Sequence, residues 1–301
     1  MADMEILSEC PVCQGKQFEQ YLEAMDYTVS RERFKIVRCK SCGFLFTNPR
    51  PTLAQIGSYY ESTEYISHHD EGNDVMSKVY NWVRQYTTRQ KIQLLEKSTK
   101  LTGSLLDIGS GTGFFLMQAK AAGWRVTGTE PDTKARAAGR SRVGEEILES
   151  IWDPNLENSK YDAITMWHVL EHVHLLNETF GWLHQHLNPK GKLIIAVPNP
   201  ESEDAAQFKE NWAAYDVPRH LYHFTKKSMK ELASAHNFKI EAIVPMWFDS
   251  YYVSLLSSRY KQGKTNIPLS VWEGTKSNWK GRPSTKVQPN TSSLIYILGK
   301  A

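Results

Sequence analysis

No stretch of this sequence approaches the run of about eighteen apolar residues that a membrane-spanning helix needs, which excludes an ordinary helical span. An excess of one charge is missing too. Lys and Arg number 36 against 33 Asp and Glu, a net +3, so the overall balance calls for neither nucleic acid nor an anionic membrane. The opening Met1-Ala2-Asp3-Met4-Glu5 is acidic and has no apolar core of the secretory-signal kind, so a soluble, cytoplasmic protein is expected. Cysteine is scarce: four in 301 residues, none beyond position 42, which leaves most of the chain without a disulfide framework. What remains is ordinary globular composition, 41% hydrophobic, enough for one full domain and a smaller companion.

The four cysteines stand as Cys10-Pro-Val-Cys13 and Cys39-Lys-Ser-Cys42, with 25 residues between the pairs. Two Cys-x-x-Cys pairs supply four thiolates for a tetrahedral zinc; a redox dithiol, a disulfide pair or free thiols are the alternatives. Four protein ligands close the coordination sphere, so such a zinc would hold a fold together rather than do chemistry. Residues 1–58 are read as this zinc-binding module, with a strand at Tyr27–Val37 and another at Phe44–Phe46 closed by Asn48-Pro49-Arg50-Pro51. Its seven Lys/Arg and seven Asp/Glu lack the basic excess of a nucleic-acid finger.

Residues 59–100 are read as a helical linker and cofactor cover: Val75, Val79, Trp82, Val83 and Tyr86, then Ile92, Leu94 and Leu95, recur at helical spacing over 74–98. From 101 strands and helices alternate, which predicts an α/β core over 101–249 with a mostly parallel sheet covered by helices on both faces. Strands are expected at 104–108, 125–129, 146–148, 162–166, 191–197 and 239–244, with a last strand at 293–298. Residues 250–301 hold that strand, a helix at Tyr251–Tyr260 and a long polar loop. Lys261 to Ala301 carries seven Lys/Arg and one Asp/Glu, a solvated excursion or a basic lid.

The most informative stretch is Leu105-Leu106-Asp107-Ile108-Gly109-Ser110-Gly111-Thr112-Gly113, with Glu130 seventeen residues after the last glycine. A buried strand, a tight turn and a helix from Phe114 follow one another, and the second strand delivers Glu130. Glycines let backbone approach a ligand with no Cβ in the way. An acid at the end of the second strand is placed to accept hydrogen bonds from ribose hydroxyls. The dinucleotide fingerprint lacks its third glycine here: Phe114 would obstruct the close helix–strand approach of a pyrophosphate-binding turn. A structural turn without a ligand is the plain alternative.

Asp107-x-Gly109-x-Gly111-x-Gly113 resembles motif I of the class I S-adenosylmethionine-dependent methyltransferases, and the seven strands match that family's sheet, in which the last strand runs antiparallel. The resemblance implies that the three glycines and Glu130 hold the cofactor and that Asp107 orients the loop. It also implies that Asp153, after Ile151-Trp152, contacts adenine. The segment before strand 1 folds over the cofactor in similar enzymes, which makes Tyr65 and His68 candidates for that pocket. The turn after strand 4, Trp167-His168, would border methyl group and acceptor.

Read literally, His168-x-x-Glu171-His172 also matches the inverted zinc-protease motif, with two histidines on one helix face; no distal carboxylate ligand is identifiable, and Glu171 and His172 are expected to be structural. The loop after strand 5, Tyr215 to Thr225, is dense in rings and charge. With the four cysteines it resembles bacterial deoxysugar C-methyltransferases, whose loop reads Tyr-x-Glu-His-Leu-x-Tyr-Phe-Ser with the histidine as general base. His220-Leu221-Tyr222-His223-Phe224-Thr225 matches the second half; Val217, Pro218 and Arg219 replace the Tyr-x-Glu that would position the histidine. His220, His168 and His223 are therefore the candidate bases, in that order. The expected function is S-adenosylmethionine-dependent methyl transfer to a small, anionic acceptor such as a nucleotide-linked sugar, with a structural zinc. An RNA methyltransferase docking through the zinc module and a non-catalytic scaffold are the competing readings.

Overall fold

The structure is a computed structural model that describes residues 3–61, 75–285 and 287–301; the proposed cofactor-cover residues Tyr65 and His68 lie outside the described residues. In chain order the strands are β1 (Met4–Glu5), β2 (Phe18–Met25), β3 (Arg33–Cys39), β4 (Leu45–Thr47), β5 (Arg50–Pro51), β6 (Ser104–Ile108), β7 (Arg125–Thr129), β8 (Ile147–Leu148), β9 (Tyr161–Trp167), β10 (Leu187–Pro198), β11 (Tyr222–His223), β12 (Phe238–Pro245) and β13 (Ser293–Lys300). The α-helices are α1 (Val75–Thr99), α2 (Phe114–Ala121), α3 (Thr133–Val143), α4 (Leu176–His186), α5 (Glu203–Phe208), α6 (Lys226–Ala235), α7 (Asp249–Gln262) and α8 (Ile267–Lys280).

The central sheet has seven strands in the order β12-β13-β10-β9-β6-β7-β8. β6 is parallel to β7 and β9, and β9 to β10, while β13 runs antiparallel to both β10 and β12. Leu105, Leu106, Ala163, Ile164, Met166, Ile194, Ile195 and Val197 are all fully buried. Near-continuous apolar runs of this kind are what a parallel sheet covered on both faces requires. Strand order reverses between β6 and β9, and such switch points open a crevice at the carboxyl ends of the strands. Among the described residues no helix is long and apolar enough to cross a membrane.

Three sequence expectations change. The stretch 27–37 is not one strand: Asp26 accepts hydrogen bonds from the amides of Thr28, Val29 and Ser30 and turns the chain between β2 and β3. Nor is the module's sheet built from residues 1–58 alone, since β11, in the loop after β10, pairs with β4 to complete the sheet β11-β4-β3-β2. Finally, the expected polar loop after α7 contains α8, capped by Asn266, whose side chain accepts from the Leu269 amide. The buried face of α8 is Ser270, Glu273, Gly274, Ser277 and Asn278, packed on α7 and α5, while Val271, Trp272 and Trp279 are exposed. An apolar stripe marks a buried helix face in sequence, and this helix carries its apolar residues outside.

Candidate active site

The three glycines after β6 all have positive φ, 69° at Gly109, 54° at Gly111 and 75° at Gly113, a conformation other residues enter only at a cost. Their surroundings differ. A Cβ at Gly109 would come within 2.5 Å of Val169 Cγ2, and one at Gly113 within 3.0 Å of Gly139 Cα, whereas one at Gly111 would meet nothing within 4 Å. Two glycines thus seat the turn on its neighbours and the middle one faces open space. Across that space the carboxylate of Glu130 accepts from the Gly111 amide at 2.8 Å and the Asp132 amide at 3.0 Å. Burial raises its pKa against the pull of those amides. Asp107, at the end of β6, is buried and accepts from Thr165 Oγ1 at 2.6 Å; desolvation pushes its carboxyl up to about 7. Asp153 accepts from the Asn155 amide and so caps a turn following β8.

The histidines do not form one set. His168 follows β9 with φ of 57° and lies between two carboxylates, Nε2 2.8 Å from Asp249 and Nδ1 3.3 Å from Glu171. Burial alone would depress its pKa, but the Asp249 charge and hydrogen bond, then Glu171, raise it to about 10. Held between two carboxylates, the ring is favoured in its charged form, which presents two N–H donors. His223, on β11, is buried against Thr47 and Tyr215, and desolvation followed by the His220 charge pushes its pKa well below the usual range. Its ring thus touches both the cysteine module and the loop after β10. His220 Nδ1 lies 2.9 Å from the Ala214 carbonyl, which can only accept, so the neutral ring carries its proton there and keeps the Nε2 lone pair. Leu170–His172 is a single 3-10 turn, so His168 and His172 share no α-helical face and the protease-like reading fails.

A family model described as a methyltransferase domain matches residues 80–243, more than half of the chain. The chain belongs to that methyltransferase family. Among curated proteins it is similar to the ubiquinone biosynthesis O-methyltransferase of Rickettsia akari, 26% identical over 133 residues, 40% of this chain and 51% of that protein. The chain spans about half the length of this and a second curated relative it matches. Among solved structures, the magnesium protoporphyrin IX methyltransferase of Synechocystis PCC 6803 with bound S-adenosylhomocysteine superposes with TM-score 0.53 at 15% identity, over 83% of this chain and all of that one. The geranyl diphosphate C-methyltransferase of Streptomyces coelicolor A3(2), also with S-adenosylhomocysteine, gives TM-score 0.53 at 14% identity, over 77% of this chain and 86% of its own. These likenesses carry the class I methyltransferase fold.

Two parts of this methyltransferase were not legible as site residues in its sequence. Lys91 of α1 stands with Nζ 4.5 Å over the Trp167 ring, where burial pulls its pKa down against the charges of Asp249 and Asp107. Asp249 opens α7. Both line a cavity of about 320 Å³ beside α1, together with Tyr86, Leu94, Met246 and Phe248. A lone lysine in an amphipathic helix and an aspartate at a helix start look like solvated and capping residues in one dimension.

The four cysteine sulfurs lie within 4.8 Å of one another, with Cys10–Cys42 at 3.6 Å and Cys13–Cys39 at 3.5 Å. Zinc–sulfur bonds of about 2.3 Å in a tetrahedron put sulfurs about 3.8 Å apart, so the donor set fits zinc. Gly43, with φ of 82°, donates its amide to the Cys39 carbonyl and makes the second knuckle. Burial would raise the Cys39 thiol, but amide donation from Cys42 and Ser41 brings it to about 7. Arg219 ties this module to the core: buried, it bonds Asp216 at 2.6 Å, Asp26 at 3.0 Å and the Tyr59 carbonyl at 2.8 Å.

Proposed function

We propose that this methyltransferase binds S-adenosylmethionine at the carboxyl ends of β6, β7 and β8 and transfers its methyl group to a small-molecule acceptor in the cavity beside α1. One observation carries the reading: the open turn at Gly111 faces the Glu130 carboxylate, an acceptor suited to ribose hydroxyls. Gly109, Gly111, Gly113 and Glu130 hold the cofactor, Asp107 braces the turn through Thr165, Asp153 approaches adenine and Trp167 borders the methyl group. The four cysteines hold a structural zinc.

Apolar walls with Lys91 and Lys97 at the cavity favour an acceptor with an apolar body and an anionic group. The small-molecule acceptors in the curated relatives' names support the class, and the N-terminal cysteine layout supports a nucleotide-linked sugar as its example. An oxygen or carbon acid must lose a proton as the methyl group arrives. His220 is the base in this reading, with Nδ1 turned to the Ala214 carbonyl and Nε2 left to accept, whereas His168 is engaged by two carboxylates and His223 is enclosed. Positioning acceptor and methyl about 3 Å apart supplies several kcal/mol more.

Titration calorimetry with S-adenosylmethionine is expected to give one site, lost at least tenfold in Glu130→Ala; unaltered affinity in that variant overturns the reading. With an acceptor in hand, His220→Gln is expected to lower turnover about 10²–10⁴-fold with cofactor affinity unchanged.

A further inference from the structure

We propose that Glu171, His172 and His220 form a binding site for a divalent first-row transition-metal ion, separate from the four cysteines. One oxygen of Glu171 and one ring nitrogen from each histidine lie within 4.8 Å of one another. Glu171 is 0% exposed, and apart from its 3.3 Å ion-pair contact with His168 neither carboxylate oxygen meets a hydrogen-bond donor among the described residues. Leaving a buried acceptor unmade costs about 1–3 kcal/mol, and more when it is charged.

The two imidazoles do not supply the missing donors. His220 Nδ1 sits 2.9 Å from the Ala214 carbonyl and His172 Nδ1 3.1 Å from the Arg219 carbonyl, with the Tyr60 hydroxyl 2.9 Å away. The Ala214 carbonyl takes the His220 ring hydrogen and leaves Nε2 with a lone pair, and the Arg219 carbonyl offers the His172 hydrogen the same place on Nδ1. With both hydrogens on Nδ1, two lone pairs and the unpartnered Glu171 carboxylate share one space, and a cation there satisfies all three. Metal-bound histidines usually give their second N–H to a carbonyl or carboxylate, and each ring here has a backbone carbonyl at Nδ1. Asp216, with Oδ2 3.9 Å from His220 Nε2, is a second acidic neighbour. Two histidines and one carboxylate suit iron, cobalt, nickel or zinc rather than magnesium, and three protein ligands leave coordination positions open.

The consequence rests on the methyl-transfer reading. A cation on Nε2 of His220 takes the lone pair that would receive the acceptor's proton, so occupancy and turnover exclude each other. Binding is tested first. Protein loaded with one equivalent of zinc, to fill the thiolate site, is titrated with cobalt(II) and followed by visible d–d absorption. One further equivalent is expected, without the near-ultraviolet band of thiolate-to-cobalt charge transfer, and it is lost in both Glu171→Gln and His172→Asn. Absence of that equivalent in the parent protein overturns the proposal whatever the variants do, and so does its retention in either variant. Turnover is read separately: full activity with cobalt bound would remove His220 as the base while the metal site stood.

Discussion

His168 shows how far a residue's chemistry depends on neighbours that its own segment does not reveal. Trp167-His168 after a strand reads as pocket lining, and a histidine there reads as a base. The two carboxylates that flank it come from Glu171, three residues on, and Asp249, eighty-one residues on. Its pKa is raised from 6.5 to about 10, so the stability this pairing contributes is fully present below about pH 6.5 and is lost as pH climbs toward 10. Replacing it by asparagine should therefore lower the melting temperature at pH 7, and the gap between parent and His168→Asn should narrow steadily up to pH 10. A gap that stays constant over that range would show the ring is not held charged. The glycine turn was legible for the opposite reason: its requirement is local. Positive φ at alternate positions and a following helix are written in adjacent residues, and Glu130 follows from the strand after them.

Among elements, the strands of the parallel sheet were the easiest to locate, since each is an apolar run bounded by turn residues. α8 was missed because its buried side is made of small and polar groups. Gly274 explains why. A Cβ there would lie 2.8 Å from Tyr251 Cδ1 and 3.0 Å from Tyr251 Cα, so α7 and α8 approach closely at this point. Gly274→Ala should cost about 1–3 kcal/mol in overpacking, more than the roughly 1 kcal/mol that alanine gains over glycine in a helix. A Cβ at Gly181 in α4 would meet nothing within 4 Å, so Gly181→Ala should instead stabilise by about 0.5–1 kcal/mol. Thermal unfolding of the two variants should shift in opposite directions; equal shifts would refute the close-packing account.

At the scale of the whole molecule, the cysteine module and the catalytic core are joined by β11 and by Arg219. β11 completes the module's sheet, and the Leu221 amide beside it donates to the Glu171 carbonyl at 2.8 Å. Stripping zinc with a chelator should therefore do more than loosen residues near the cysteines. The melting temperature should fall by about 10 °C, corresponding to a few kcal/mol in a chain of this size. Turnover should fall further than cofactor affinity, because the loop bearing His220 leans on the module while the glycine turn does not. Equal losses of both, or no loss, would separate the module from the site.

The sequence by itself determined the strand–turn–helix at Gly109–Gly113, the acid at Glu130, the four-thiolate set and the succession of strands along the chain, because each is specified by residues close together or by apolar periodicity. Only the tertiary structure decided which histidine lies between two carboxylates, which is enclosed and which turns Nδ1 to a backbone carbonyl. Those properties come from partners far along the chain, Asp249 for His168, the N-terminal sheet for His223 and the Ala214 carbonyl for His220. A side chain's protonation is set by the charges and dipoles that folding brings within a few ångströms of it, and those distances are fixed in three dimensions.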